Sequence, residues 1–93
     1  MIKNFKCIQT EKIFNMETST IFPREIHQRA YNKLRMIHNA EILNDLRIPP
    51  SNRLEKLKRN RKEQYSIRIN NQWRICFSWH EEDAYDVEIV DHH

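Results

Sequence analysis

The chain has 93 residues, of which 39% are hydrophobic and 31% are charged, and its formal net charge is +3. This composition is typical of a soluble globular protein and excludes a disordered chain. We therefore expect residues 1–93 to form one domain around a single modest core. The apolar runs are too short to span a bilayer, and the start has no hydrophobic signal-peptide region. A cytoplasmic protein without membrane contact is predicted.

Glycine is absent, and the chain has no CxxC motif, no HExxH motif and no glycine-rich phosphate loop. We therefore expect no metal and no other cofactor. Cys7 and Cys76 lie in strand-like segments. We interpret both as small buried apolar residues rather than as a disulfide or a metal site, as suits a reducing compartment.

The first half of the chain is predicted to be mainly helical. Residues 1–7 alternate apolar and polar side chains, which indicates an opening strand, and a helical turn is expected at residues 11–16. A proline suits the first turn of a helix over residues 24–39, whose apolar residues recur at intervals of four, four and three. A second short helix over residues 41–46 ends before a pair of prolines.

The second half is predicted to be β-structure, beginning with a strand over residues 54–58. Asn70-Asn71 predicts a two-residue type I′ turn, because asparagine tolerates positive φ. Alternation places one set of side chains toward the core. The set is Tyr65, Ile67 and Ile69, then Trp73, Ile75, Phe77 and Trp79, then Tyr85, Val87 and Ile89. We predict an α+β fold with an N-terminal strand and two or three helices on one face of an antiparallel sheet of about four to five strands.

Basic residues concentrate between residues 53 and 74. They are Arg53, Lys56, Lys58, Arg59, Arg61, Lys62, Arg68 and Arg74. Two interpretations are open: solvated charges that deter aggregation of strand edges, or a groove that binds phosphates. Placement favours the groove, because Arg68 and Arg74 lie on adjacent strands and point to the open face, where Lys56 and Lys58 would join them.

The end of the chain, Asp91-His92-His93, combines a carboxylate with imidazoles suited to proton transfer. A frayed terminus and the remnant of a purification tag are the alternatives. Beside a cationic groove, these residues suggest acid–base cleavage of RNA, with the ribose 2′-hydroxyl as the internal nucleophile. The other histidines, His27, His38 and His80, are predicted to be surface or rim residues.

The stretches PPSNRLEKLKRNRKEQYSIRINNQWRICFSW and DAYDVEIVDHH, with MIKNFKC at the start, resemble the HigB branch of the RelE/ParE toxin superfamily, GraT-like members included. The resemblance covers nearly the whole chain and implies a RelE-like fold. It also implies the toxin of a type II toxin–antitoxin pair. Relatives are ribosome-dependent endoribonucleases (mRNA interferases) that cut mRNA in the A site and leave a 2′,3′-cyclic phosphate. The implied partners are a HigA-type helix-turn-helix antitoxin and the 30S A site with its rRNA and mRNA, with operator DNA bound only through the antitoxin.

By motif position, the resemblance assigns Lys58 and Arg74 to the scissile phosphate and Asp91 and His93 to acid–base catalysis. His92 stands where the family usually has tyrosine. Some relatives have histidine at the position of Glu55, which leaves the identity of the general base open. The other basic residues are expected to hold the surrounding RNA. They are Arg53, Lys56, Arg59, Arg61, Lys62 and Arg68.

Two further consequences follow from the resemblance. Relatives have glycine where this chain has Ser51, Arg59 and Glu63, so the turn at residues 58–62 would depend on Asn60 for a left-handed conformation. Two functions compete with the nuclease: a ParE-like inhibitor of DNA gyrase, and a non-catalytic module that binds RNA or the ribosome.

Overall fold

The computed structural model of the chain describes residues 1–57 and 63–92. In this described part, two α-helices pack on one face of a four-stranded antiparallel sheet of order β1-β2-β3-β4. The helices are α1 Ile8–Phe14 and α2 Arg24–Asn39, followed by the 3-10 helices Leu43–Arg47 and Pro50–Asn52. The strands are β1 Glu55–Lys56, β2 Gln64–Arg68, β3 Trp73–His80 and β4 Asp83–Asp91. The predicted α+β class is confirmed. None of the described helices has the length and apolar character needed to cross a membrane.

Helix α2 has the predicted bounds because its signals are local. Its buried residues are Ile26, Ala30, Leu34 and Ile37, the stripe spaced by four, four and three. This stripe packs against the sheet through Ile67, Ile75 and Val87, all of which are fully buried. Burial of each large aliphatic side chain contributes roughly 1.5–3 kcal/mol, so this contact stabilises the layer of helices on the sheet.

The shorter helical segments differ from their predictions at their ends. The helical turn expected at residues 11–16 is α1, which begins at Ile8 and is followed by Met16 with φ 63. The second predicted helix is a 3-10 helix over Leu43–Arg47. The Asp45 carboxylate accepts hydrogen bonds from the backbone N–H groups of Glu41 and Ile42 and so fixes the start of this turn.

The predicted opening strand is reduced to two isolated bridges. Ile2 and Phe5 form parallel bridges with Ala84 and Val87 of β4. The backbone N–H of Lys3 donates to the Ala84 carbonyl at 2.8 Å, which anchors the segment at the edge of the sheet. The first residues of the chain therefore cover the outer edge of β4.

The turn between β2 and β3 is not the predicted type I′ turn. Neither Asn70 nor Asn71 has positive φ. Instead, Asn70 Oδ1 accepts hydrogen bonds from the backbone N–H groups of Gln72 and Trp73, each at 2.8 Å. The asparagine side chain therefore closes a longer turn by replacing a backbone acceptor.

The two-residue turn with positive φ joins β3 to β4. Glu81 has φ 49 and Glu82 has φ 69, and His80 pairs with Asp83 across the turn. Such a turn matches the right-handed twist of the flanking strands, although glutamate is an unfavourable residue for it.

A bulge in β4 changes which residues face the core. The register shifts between Cys76 and Ser78 of β3, and Asp86 in the facing segment of β4 has φ 53. An extra residue at this point reverses the alternation that precedes it. The prediction that Tyr85 faces the core is therefore wrong. The buried residues of β4 are Ala84, Val87 and Ile89.

The core face of β3 is confirmed. Ile75 and Phe77 are buried, and Trp73 and Trp79 pack against the core while partly exposed. The cysteines were predicted to be buried, but both are only half-buried, and no disulfide joins Cys7 to Cys76.

Candidate functional site

A cavity of about 270 Å³ lies at one end of the sheet, on the face away from the core. The end of β2, the start of β3, the end of β4 and the start of β1 meet there, because the strands are antiparallel. The lining residues, which together define the arginine cavity, are Arg53, Glu55, Arg68, Asn70, Asn71, Arg74 and His92. Three guanidinium groups and one carboxylate give the cavity a positive field that suits a phosphate.

Strand register brings the charged residues together. Arg68 in β2 is directly opposite Arg74 in β3, and Glu55 in β1 is opposite Ser66 in β2. Directly opposite residues of an antiparallel pair share one face, and two like charges in that position repel each other. The Arg68–Arg74 pair therefore has an unfavourable energy that an anion between the two side chains would offset.

Arg74 was predicted to lie on an open face, but only 6% of it is exposed. Its Nε donates to Ser66 Oγ at 2.9 Å, and its Nη2 donates to the Arg53 carbonyl at 2.8 Å. The Glu55 carboxylate lies 3.9 Å from the same Nη2. The segment that precedes β1 covers the guanidinium, which explains the burial. Arg74 is therefore a fixed cation in the wall of the cavity rather than a mobile surface charge.

The other two arginines approach the cavity differently. Arg53 is exposed and has φ 46, the left-handed conformation that turns its carbonyl toward Arg74. Arg68 is half-buried and donates from Nη2 to Asn71 Oδ1. The β2–β3 turn thus fixes Arg68, and the segment before β1 carries Arg53.

His92 lies in the cavity, whereas Asp91 is not among its lining residues. Asp91 is opposite Trp73 and so shares the face of the core side chains. Gln72 connects the two segments, since its Nε2 donates to Asp91 Oδ2 at 3.1 Å and its carbonyl accepts the His92 backbone N–H at 2.5 Å. The structure therefore brings His92 and Arg74 to the same cavity. Asp91 instead stabilises the end of β4 through its hydrogen bond with Gln72.

Lys56 does not join Arg68 and Arg74, which corrects the prediction. Lys56 is opposite Tyr65, and it lines a separate cavity of about 410 Å³ with Leu43 and Arg47. The remaining predicted site residues lie outside the described residues. They are Lys58, Arg59, Arg61, Lys62 and His93, together with Asn60.

Glu55, Asn70 and Asn71 line the cavity although the sequence did not mark them as site residues. The resemblance singles out the position of Glu55 only as one where relatives can have histidine. The strand register places Glu55 on the face of Ser66 and Arg74. Among the described lining residues, Glu55 is the one carboxylate and His92 the one imidazole, and these are side-chain types that serve as general bases and acids. The described part of the chain has no cluster of three or more His, Cys, Asp or Glu that could hold a metal ion.

Comparison with known proteins gives a consistent family. Residues 3–93 match the family model of HigB-like toxins, described as the RelE-like toxin of type II toxin–antitoxin system HigB. Toxin HigB-1 of Vibrio cholerae is 42% identical over 59 residues, which cover 63% of this chain and 62% of that protein. Endoribonuclease HigB of Proteus vulgaris is 29% identical over 93 residues, which cover 100% of this chain and 100% of that protein. An uncharacterised protein of Haemophilus influenzae is 33% identical over 82% of this chain and 75% of its own length.

Proposed function

Because the chain belongs to the HigB-like family of RelE-like toxins of type II toxin–antitoxin systems, we propose that it is an endoribonuclease toxin that cuts mRNA in the ribosomal A site. Its partners would be the 30S subunit with its rRNA and mRNA, and a HigA-type antitoxin that neutralises the toxin and carries it to operator DNA. The cytoplasm is the corresponding location. The name of the Proteus vulgaris relative, Endoribonuclease HigB, supports the activity.

The arginine cavity is the observation that carries the proposal, since it combines phosphate-binding cations with two groups able to exchange protons. The Glu55 carboxylate would take the proton from the ribose 2′-hydroxyl as the O2′–P bond forms. Arg68 and Arg74 would stabilise the negative charge that develops on the phosphorus oxygens. The His92 imidazolium would protonate the 5′-oxygen as the P–O5′ bond breaks, which leaves a 2′,3′-cyclic phosphate.

Further residues have supporting roles in the proposal. Asp91 would fix the terminal strand through Gln72, which holds the backbone of His92. Lys58 and His93 retain the roles that the resemblance gives them, at the phosphate and in proton transfer. Of the RNA-binding residues, Arg53 has the most direct support, because it lines the cavity beside Arg74.

The test is cleavage of an mRNA during translation in vitro, followed by primer extension. We expect the exchanges Glu55→Gln and His92→Gln each to lower the cleavage rate about 10²–10⁴-fold, the usual contribution of a general acid or base. Matched controls are Glu41→Gln and His80→Gln, which change exposed residues outside the arginine cavity and should cut at the original rate.

Two results would contradict the proposal. Full activity of both cavity variants would remove Glu55 and His92 from the chemistry. Intact mRNA with the unaltered protein, together with inhibition of DNA supercoiling, would favour a gyrase inhibitor of the ParE kind.

A further inference from the structure

A second cavity, of about 370 Å³, adjoins the arginine cavity on the side of α2. Its lining residues, which define the helix cavity, are Arg29, Asn32, Lys33, Met36, Ser51, Arg68, Ile69 and Asn70. Arg68 and Asn70 line both cavities. The two cavities are therefore neighbours on one surface, with the Arg68 side chain between them.

The helix cavity contains three cations, Arg29, Lys33 and Arg68, and no carboxylate among its lining residues. Arg29 and Lys33 are four residues apart on α2, where like charges face each other and destabilise a helix. A solvated helix surface usually alternates its charges to avoid this repulsion. The unbalanced pair indicates a surface that is completed by an anion.

The positions of both side chains are fixed by contacts with the rest of the fold. Arg29 Nη1 donates to the Ile69 carbonyl at 3.5 Å, so the guanidinium leans toward the β2–β3 turn. Lys33 is half-buried, and its Nζ donates to Asn52 Oδ1 at 2.5 Å. Asn52 is itself fully buried and donates from Nδ2 to the Leu46 carbonyl at 3.1 Å.

The surroundings of Lys33 disfavour the charged form of its ammonium group. Burial, and then the nearby Arg29 charge, lower the pKa of Lys33 from its usual value. A lysine has three donor protons, and the bond to Asn52 uses only one of them. An anion in the helix cavity would accept the others and would offset the repulsion between the two cations.

We propose that the helix cavity binds a phosphodiester of the same RNA strand whose neighbouring phosphate occupies the arginine cavity. The RNA backbone would pass from the arginine cavity over Arg68 and continue along α2 to Arg29 and Lys33. The inference rests on the proposed function, since it assigns the path of the RNA substrate. The ligand is single-stranded RNA recognised through its backbone, so this contact adds affinity without reading bases.

The test measures binding of a hexanucleotide and a dinucleotide by fluorescence anisotropy over a range of salt concentrations. Both probes carry 2′-O-methyl groups, which remove the nucleophile and prevent cleavage. In the variant Arg29→Gln with Lys33→Gln, we expect roughly tenfold weaker hexanucleotide binding at low salt, and a salt slope smaller by about 0.7 for the one phosphate that is no longer neutralised. Dinucleotide binding should be unchanged, because the arginine cavity alone holds it.

Two controls separate this effect from loss of charge and from misfolding. The variant Lys3→Gln with Arg24→Gln removes the same charge from exposed residues outside both cavities, and it should keep the original slope. The single change Arg29→Gln leaves the Lys33–Asn52 bond intact and should give about half of the change in slope.

An unchanged hexanucleotide slope in the double variant would overturn the inference, as would an equal loss in the control variant or for the dinucleotide. Absence of hexanucleotide binding by the unaltered protein would overturn it too. Failure of the proposed function would be seen separately as intact mRNA in primer extension, because the binding probes cannot be cleaved.

Discussion

At the scale of single residues, Arg74 combines a structural and a functional position. Alternation along β3 predicts correctly that it points away from the core. Its burial does not follow from the sequence of β3, because the covering residues come from the segment before β1, some twenty residues earlier in the chain. Sequence patterns give the face of a strand, whereas burial of a polar side chain depends on distant backbone that supplies its acceptors.

We expect Arg74→Lys to lower both stability and activity although it preserves the charge. A lysine ammonium is a point charge and does not reproduce the planar fork that reaches Ser66 and the Arg53 carbonyl together. Loss of hydrogen bonds from a charged group costs about 1.5–3 kcal/mol in the free energy of unfolding. Loss of a positioned donor at the phosphate should lower cleavage about 10²-fold.

Urea denaturation and single-turnover cleavage measure the two effects of Arg74→Lys. The matched variant Ser66→Ala removes only the acceptor of the Nε bond and should cost about 1 kcal/mol with a smaller loss of activity. Unchanged cleavage by Arg74→Lys would show that charge alone suffices at this position.

At the scale of elements, local signals determined how much could be predicted. Helix α2 follows from its apolar spacing and from the proline at its start. The turn with positive φ was predicted at Asn70-Asn71 but occurs at Glu81-Glu82. Asn70 instead closes a longer turn with its side chain. Pairing of β3 with β4 imposes the tight turn on two unfavourable residues, so tertiary packing overrides local preference there.

We expect the change of Glu81 to Asn with Glu82 to Gly to stabilise the fold by about 1–2 kcal/mol, because a side chain with a Cβ resists the left-handed conformation. Urea denaturation measures the free energy of unfolding. The control, Glu81→Gln with Glu82→Gln, removes the same charges but keeps the conformational cost, so it should change stability little. An equal gain in the control would show that charge repulsion, rather than backbone strain, destabilises this turn.

At the scale of the whole molecule, the charges of the described residues are separated along β3. The arginine cavity lies at the end where β2 turns into β3, and the acidic turn of Glu81, Glu82 and Asp83 lies at the opposite end of β3. These described charges would attract an anion to the arginine cavity and repel it from the acidic turn. The sequence shows a concentration of basic residues between residues 53 and 74, but only the antiparallel sheet places the acidic turn at the end of β3 opposite Arg74.

The N-terminal segment is attached to α2 through a hydrogen bond to His38. The backbone N–H of Ile2 donates to His38 Nδ1 at 3.1 Å, which requires that nitrogen to be unprotonated. The Phe14 ring packs against the imidazole, with ring centroids 5.2 Å apart. Burial lowers the pKa of His38 from its usual value, and the charges of Arg35 and the Met1 ammonium group lower it further.

Because the folded pKa of His38 lies below the unfolded one, its contribution to stability is complete above the unfolded pKa and is lost as pH falls through the folded pKa. We expect the free energy of unfolding to fall between about pH 7.5 and about pH 5, and to fall less in His38→Asn, whose amide oxygen accepts the same bond without titrating. Urea denaturation across this pH range gives the free energy of unfolding of both proteins. The contributions of the other histidines are the same in both and cancel in the difference. If the unaltered protein and His38→Asn have the same pH dependence, protonation of His38 does not weaken the attachment of the first residues to α2.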